Sequence, residues 1–327
     1  MRYRILLSIP KQSAFLEPMY NTLCSLGHNV MNFDYQTGFL NTRILGATGN
    51  LLGLSQKFKP KINKQIQQQL LTLSGKFKPH LILVVKGESI SPQIIRQLTR
   101  AGIITVNWYP DWLAAWEWIK DNASAYSQFV SCCTNTNAHL NQLGINSIYL
   151  PYASAPDPIR YSGQKKYNIV FIGQYSKRRE HYFQSVSKIG LHIWGYKGWQ
   201  SSALKHIASG SISNKRTLQI IRESKIVLNI LTGDDDFQPS TVNNRTFESL
   251  GVGTFLMIKD HPILYKHFSP RNDFITFKTP EELLRNVKYY LKHDSDREKI
   301  AENGWLNVQK NHTYVVRFQE LFSKISL

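Results

Sequence analysis

Residues 168–180 read Asn168-Ile-Val-Phe-Ile-Gly-Gln-Tyr-Ser-Lys-Arg-Arg-Glu180, and the change of pattern within them decides the fold. Ile169 to Ile172 form a short apolar run of β-branched and aromatic residues, the signature of a strand buried on both faces. Gly173 closes the run, and the polar stretch from Lys177 opens a helix. Strand, glycine turn and helix together make the repeating unit of a parallel sheet covered on both sides.

The same unit recurs in both directions. Downstream, strand patterns at 191–194, 226–230 and 254–258 alternate with helical patterns at 214–223 and 243–250, and three helical stretches close the chain at 280–292, 295–308 and 313–323. Upstream, strand patterns at 4–9, 28–33, 80–85, 103–107, 129–132 and 147–150 alternate with helical ones at 13–26, 61–75 and 92–100 and a short one ending at Leu143. Residues 151–166 hold three prolines and no periodicity, which marks a linker. The prediction is an α/β protein of two Rossmann-like domains, 1–155 and 156–327, with parallel sheets facing across a cleft and the last helix packing back on the first domain. Residues 38–64 fit the alternation poorly. They mix Phe39, Leu40, Ile44 and Leu45 with Lys57, Lys59, Lys61 and Lys64, and read either as an amphipathic flap for acidic lipid or an acceptor, or as a helix packed on the sheet.

Composition narrows the class. A chain of 327 residues suits two domains, and 42% hydrophobic with 12% aromatic residues rules out global disorder. The longest apolar runs, such as Leu81–Val85, are strand-sized, far short of the ~18 residues of a membrane span. The apolar part of the N-terminus is too short for a signal peptide and reads as a first strand. Three cysteines, Cys24, Cys132 and Cys133, give neither a disulfide framework nor zinc-ligand spacing, which points to a reducing cytoplasm. The formal net charge is +18, with 14 basic against 6 acidic residues up to position 155 and 26 against 16 beyond it. A field spread over both halves favours an anionic partner: a phosphorylated substrate, an acidic membrane surface or nucleic acid.

Three segments of the second half follow strands, where ligands bind in open parallel sheets. At Gly173 the backbone can approach a ligand, and Lys177, Arg178 and Arg179 then begin a helix. Cations there oppose the helix dipole unless an anion offsets them, so the segment is either a phosphate site or a solvated basic turn. Asn243-Asn-Arg-Thr-Phe-Glu-Ser-Leu-Gly-Val-Gly253 offers a polar cap, free first-turn amides and Glu248, whose carboxylate can accept two hydrogen bonds from a ribose diol or merely face solvent. Asp234-Asp-Asp236 could hold Mg²⁺ across a diphosphate or form an acidic loop. The helix amides and arginines can neutralise a diphosphate without it, so no metal is assigned.

In the first half, Trp108-Tyr-Pro-Asp-Trp-Leu-Ala-Ala-Trp-Glu-Trp118 concentrates four of the seven tryptophans behind a strand. Trp108 and Trp112 could stack on an acceptor sugar with Asp111 as a catalytic carboxylate, or the cluster could lid the core. His139, His192, His261 and His267 match no nucleophile or metal pattern and receive no role.

Together these segments resemble the CgeB-like, spore-maturation branch of the group-1 glycosyltransferases. The resemblance is densest from about Tyr167 onward: Phe171-Ile-Gly followed by Lys-Arg, Leu228-Asn229-Ile230, Asn244-Arg-Thr-Phe-Glu-Ser-Leu-Gly-Val-Gly253, Tyr289-Tyr-Leu, Ala301-Glu-Asn-Gly304 and His312-Thr-Tyr314. Val84-Val-Lys-Gly87 and Leu150-Pro-Tyr-Ala-Ser-Ala-Pro-Asp157 are weaker matches. The resemblance implies a GT-B fold, a nucleotide-sugar donor in the C-terminal domain and an acceptor, whether a glycan, a lipid-linked molecule or a protein, in the N-terminal one. It further implies metal-independent transfer, retaining in outcome, without a cofactor. Glu248 would hold the ribose; Arg178 with Lys177, Gly173, Asn229 and the Asn244, Arg245 and Thr246 region would hold the diphosphate. Many relatives carry a glutamate eight positions before the ribose-binding one, where this chain has Ser240. The expected setting is cytoplasmic, with possible peripheral contact with an anionic membrane at its inner face. A catalytically silent relative, a different sugar-nucleotide enzyme of the same fold such as an epimerase, and a nucleic-acid-binding protein are the rival readings; the last lacks any RNA-binding signature.

Overall fold

The computed structural model describes residues 2–36, 55–110, 115–195, 198–231 and 241–325, with side chains of the long second helix described from residue 63. Two compact units result, residues 1–151 with 318–327, and residues 152–317.

The first unit runs β1 (Arg4–Ser8), α1 (Leu16–Ser25), β2 (Asn29–Phe33), α2 (Ser55–Phe77), β3 (Leu81–Val85), α3 (Pro92–Arg100), β4 (Ile104–Tyr109), α4 (Trp116–Asn122), β5 (Gln128–Ser131), α5 (Thr134–Gln142) and β6 (Ser147–Tyr149). Its strands pair in parallel in the order β2-β1-β3-β4-β5-β6. Helices cover both faces, so β3 is apolar at every position and Leu81 to Val85 are all buried.

The second unit runs β7 (Tyr167–Ile172), α6 (Lys177–Gln184), β8 (Leu191–Trp194), β9 (Ala208–Ser209), α7 (Asn214–Arg222), β10 (Ser224–Asn229), α8 (Asn244–Gly251), β11 (Phe255–Lys259), β12 (Ile275–Phe277), α9 (Pro280–Lys292) and α10 (Asp294–Asn311). The order is β12-β11-β10-β7-β8-β9, again parallel throughout. Each face of this sheet has its own core. One buries Phe183 of α6 with Leu283 and Val287 of α9; the other buries Phe247 and Leu250 of α8 with Ile220 of α7 and Val308 of α10. The last helix, α11 (Tyr314–Lys324), starts in the second unit, and its residues from Phe318 belong to the first.

The α/β class and the doubled parallel sheet are as the sequence predicts. Two strands escaped the pattern. These are β9, of two residues, and β12, of three.

Candidate functional site

In the second unit the chain moves outward from β7 through β8 to β9, then returns to the other side of β7 to lay down β10, β11 and β12. The connections therefore diverge at the carboxyl ends of β7 and β10, with α6 leaving over one face and α8 over the other. This is the topological switch point, the position where an open α/β sheet leaves a crevice for a ligand.

The β7 side is built for close backbone packing. Gly173 donates its N–H to the Trp194 carbonyl at 2.9 Å, and its own carbonyl accepts from the Trp199 indole at 3.0 Å. A side chain on Gly195 would put its Cβ 2.1 Å from the Gly173 oxygen, so the ends of β7 and β8 can meet only with glycine there. Ser176 caps α6 by accepting from the Arg179 amide at 3.2 Å. Of the three cations that follow, Lys177 is exposed, Arg178 half-buried and Arg179 buried.

Arg179 joins the two sides. Its guanidinium donates to the Gln174 carbonyl and to the Ile230 carbonyl, each at 2.7 Å, and lies 5.2 Å from the Phe171 ring centroid. Burial, and then the neighbouring Arg178 charge, lower its pKa to about 10, so it remains cationic at neutral pH. The sequence marks a basic run here but gives no sign that this member turns inward.

The β10 side carries a closed polar network. Asn229, fully buried at the end of the strand, donates from Nδ2 to Asn243 Oδ1 at 2.8 Å and Thr246 Oγ1 at 3.0 Å. Asn243 returns a bond to Asn229 Oδ1 at 3.2 Å and caps α8 by accepting from the Thr246 amide at 3.3 Å. Thr246 Oγ1 also donates to Asn243 Oδ1 at 3.0 Å. The network fixes where α8 begins, and by helix geometry its first-turn amides lack intrahelical acceptors.

Glu248 lies one turn in. Asn244 Nδ2 donates to its Oε1 at 2.7 Å and Arg245 donates to its Oε2 at 2.5 Å. Carboxylate and guanidinium are both largely covered, at 18% and 20% exposed. Each carboxylate oxygen can accept a further bond, so the pair orients Glu248 without exhausting it. Arg245 Nε and Asn244 Oδ1 are buried without a hydrogen-bond partner, unmet demands of the kind a polar ligand satisfies.

β11 extends the same edge, since Asn229 is in register with Ile258. Beyond it, His261 Nδ1 accepts from the Ile263 amide at 3.2 Å. Burial, then Lys259 and Arg178, hold this imidazole below its ordinary pKa. In the sequence His261 matches no nucleophile or metal pattern; the pairing of β11 with β10 brings it to this edge.

Gly173, Lys177, Arg178, Asn229, Asn244, Arg245, Thr246 and Glu248 thus all lie at the carboxyl edge of one sheet or on the first turns of the helices leaving it. Trp108 requires a correction. It is 2% exposed, gives its indole N–H to Cys132 Sγ at 3.2 Å and meets Phe318 edge-on at 6.0 Å between centroids. It is a core residue and presents no face for stacking, because β4 is buried on both sides. Trp118 stacks on Tyr109, and Trp116 meets His139 edge-on. Asp111, Trp112, Asp234 to Asp236, Ser240 and most of the 38–64 stretch lie outside the described residues. Among the described residues, no helix is long and apolar enough to cross a membrane, and no three His, Cys, Asp or Glu side chains could jointly hold a metal ion.

Residues 178–323 match the family model described as Glycosyl transferase-like. No curated protein sequence matches the chain. Among solved structures, sucrose-phosphate synthase from Thermosynechococcus elongatus aligns at a TM-score of 0.66 with 10% identity over 99% of both chains. An alpha-glucosyltransferase in complex with UDP-glucose and DNA containing an abasic site aligns at 0.66 with 11% identity over 100% of both. Anabaena HepE in complex with UDP and glucose aligns at 0.58 with 11% identity over 99% of both. These likenesses establish the fold as GT-B-like.

Proposed function

We propose that this chain is a glycosyltransferase that binds a nucleoside diphosphate sugar at the carboxyl edge of the second unit and passes the sugar to a glycan or lipid-linked acceptor. The observation that carries the reading is Glu248, held by Asn244 and Arg245 on the first turns of α8, with the start of α6 tied to the end of β10 at the switch point. In this reading Glu248 accepts the two ribose hydroxyls. Arg178, Lys177 and the first-turn amides of α8 receive the diphosphate, and Gly173 lets the backbone approach it. Asn229 acts through Asn243 and Thr246 as a positioning residue. Two of these structural relatives hold UDP or UDP-glucose, which favours a uridine donor.

The chemistry follows from where charge develops. As the bond to the sugar breaks, the leaving nucleoside diphosphate gains negative charge, and fixed cations and amides already aimed there stabilise it without reorganising. Such an arrangement needs no metal ion. Retention of configuration, a carboxylate role for Asp111 beside Trp112 at the acceptor, a CgeB-like subgroup and a cytoplasmic setting with peripheral contact to anionic membrane complete the proposal. The basic charge of +18 supports the last of these.

The test is titration of the purified chain with UDP, GDP, ADP and CMP in EDTA by isothermal calorimetry. Tight binding of one diphosphate is the expected result; binding of none, or binding only once Mg²⁺ is restored, contradicts the proposal.

A further inference from the structure

Two adjacent lysines, Lys165 and Lys166, stand where the chain enters β7, at the amino edge of the second sheet. Their surroundings differ. Lys166 is exposed and donates to Glu223 Oε1 at 2.7 Å, a bond that raises its pKa. Lys165 is half-buried, and its Nζ donates to the Arg222 carbonyl at 2.8 Å and lies 5.4 Å from the Tyr161 ring centroid. An ammonium carries three N–H groups, so two remain beyond that bond.

The charges around Lys165 are already matched to one another. Glu298 of α10 is the carboxylate that acts on it, and both Glu298 oxygens face arginines. Oε2 accepts from Arg160 at 2.5 Å, and Oε1 lies 3.7 Å from Arg297. Neither arginine is loosely placed. Arg160 lays its stem over Gly253, where a Cβ would stand 2.5 Å from Arg160 Cγ, and its Nε donates to the Gly253 carbonyl at 3.3 Å. Arg297, with its side chain 3% exposed, donates to the Tyr290 carbonyl and to Asp294, each at 2.7 Å. From the end of α7, Arg222 pairs with Asp157 at 2.7 Å, while Glu223 takes Lys166. Lys165 is left beside two fixed guanidinium groups and one carboxylate that they share.

Burial lowers the Lys165 pKa to about 8, against the pull of Glu298 and with the push of Arg160 and Arg297. At pH 7.4 such an amine is neutral roughly 200 times more often than an ordinary lysine. Desolvation next to other cations is a way to turn a lysine into a nucleophile. The same two guanidinium groups favour a product that carries negative charge. We propose that Lys165 is a carbamylation site, whose Nζ takes up CO2 and holds it as a carbamate beside Arg160 and Arg297. The nitrogen lone pair forms the N–C bond, one C=O electron pair moves onto oxygen, and an N–H proton leaves to water. R–NH2 and CO2 thus give R–NH–COO⁻ and H⁺, with no leaving group to accommodate. The step replaces a cation crowded by cations with an anion that they attract. The site lies at the edge of the sheet away from Glu248 and does not depend on what the chain transfers.

The test is NMR of the full chain, labelled with ¹⁵N-lysine, in ¹³C-bicarbonate solution. A carbamate shows a one-bond ¹³C–¹⁵N coupling that dissolved or ion-paired bicarbonate lacks. One dominant coupled signal is expected at pH 7.5, retained in Lys166→Arg and lost in Lys165→Arg; both substitutions conserve charge. At equal dissolved CO2 it should fall by about ten-fold or more at pH 6, where the amine is protonated. Arg160→Gln, which releases a Glu298 oxygen to Lys165, should weaken the signal several-fold. No coupled signal, a signal that survives Lys165→Arg, or comparable signals from many lysines overturns the proposal. A bicarbonate shift without coupling overturns it too, since that reports an ion pair only, and a signal indifferent to Arg160→Gln removes the role given to the guanidinium groups.

Discussion

The Arg179 guanidinium donates to the Ile230 carbonyl at 2.7 Å, tying the start of α6 to the end of β10 across 51 residues of chain. A second bond of the same length holds the Gln174 carbonyl, so a single side chain sets the spacing of the two segments that border the crevice. The two segments at the proposed donor site are thereby held together by the protein's own hydrogen bonds.

Arg179→Met should therefore cost both stability and affinity. Methionine keeps most of the stem but leaves two carbonyls without their donor, a loss of about 2 kcal/mol in unfolding free energy. Nucleoside diphosphate affinity should fall about ten-fold or more, since the crevice loses its clamp. Arg179→Lys should recover part of both. Urea denaturation and calorimetry on the three proteins measure the two effects separately.

Asn229→Ala tests the network under α8. It strips partners from Asn243 and Thr246, both at the helix start, and should destabilise the unit by about 1–3 kcal/mol. The loss should exceed that of Asn244→Ala, whose side chain is bonded to Glu248 instead. Denaturant midpoints at fixed slope would rank the two.

Trp108→Ala should behave as a core truncation, losing about 3–5 kcal/mol. Trp108→Phe should retain most of the stability. Neither should alter nucleotide affinity in protein that remains folded, and an unchanged melting temperature for Trp108→Ala would contradict the buried placement.

His267 and His312 supply a pH dependence with a defined sign. Burial, and then the Arg317 charge, lower both pKa values from 6.5 to about 4. His312 Nδ1 accepts from the Arg317 guanidinium at 2.6 Å, and protonating it would set two cations against each other. In the window between those values the unfolded chain binds more protons than the folded one, so their contribution is complete above pH 6.5 and falls away as pH drops toward 4. The melting temperature should decline over that interval by an amount equivalent to at most about 3 kcal/mol for each histidine, and His312→Asn should flatten the decline. A profile of thermal melts between pH 4 and 8 reads both.

Much of this site is legible in the sequence because its signals are local. The apolar run from Ile169, the Asn243 cap and the Gly173 turn each declare themselves within a few residues, and the structure places them as strand end, helix start and close approach. What the sequence hides depends on pairing between distant segments. Nothing near Arg179 reveals that Ile230 lies within its reach, and nothing near His261 shows that β11 runs beside β10. The aromatic run from Trp108 shows the converse limit. A strand buried on both faces and a ligand-stacking lid share one composition, and only the coverage of β4 by its neighbours separates them.

The central claim is that Glu248 receives the ribose of a nucleotide donor. It is tested most directly by thermal melting of wild type and Glu248→Ala with UDP in EDTA. At about 100 times its Kd the ligand adds roughly 2.7 kcal/mol, enough to move the second unit's transition visibly. The account predicts a rise in melting temperature for wild type that Glu248→Ala abolishes while its ligand-free melting stays within a few degrees. An equal rise in both proteins, or no rise in either, would contradict it.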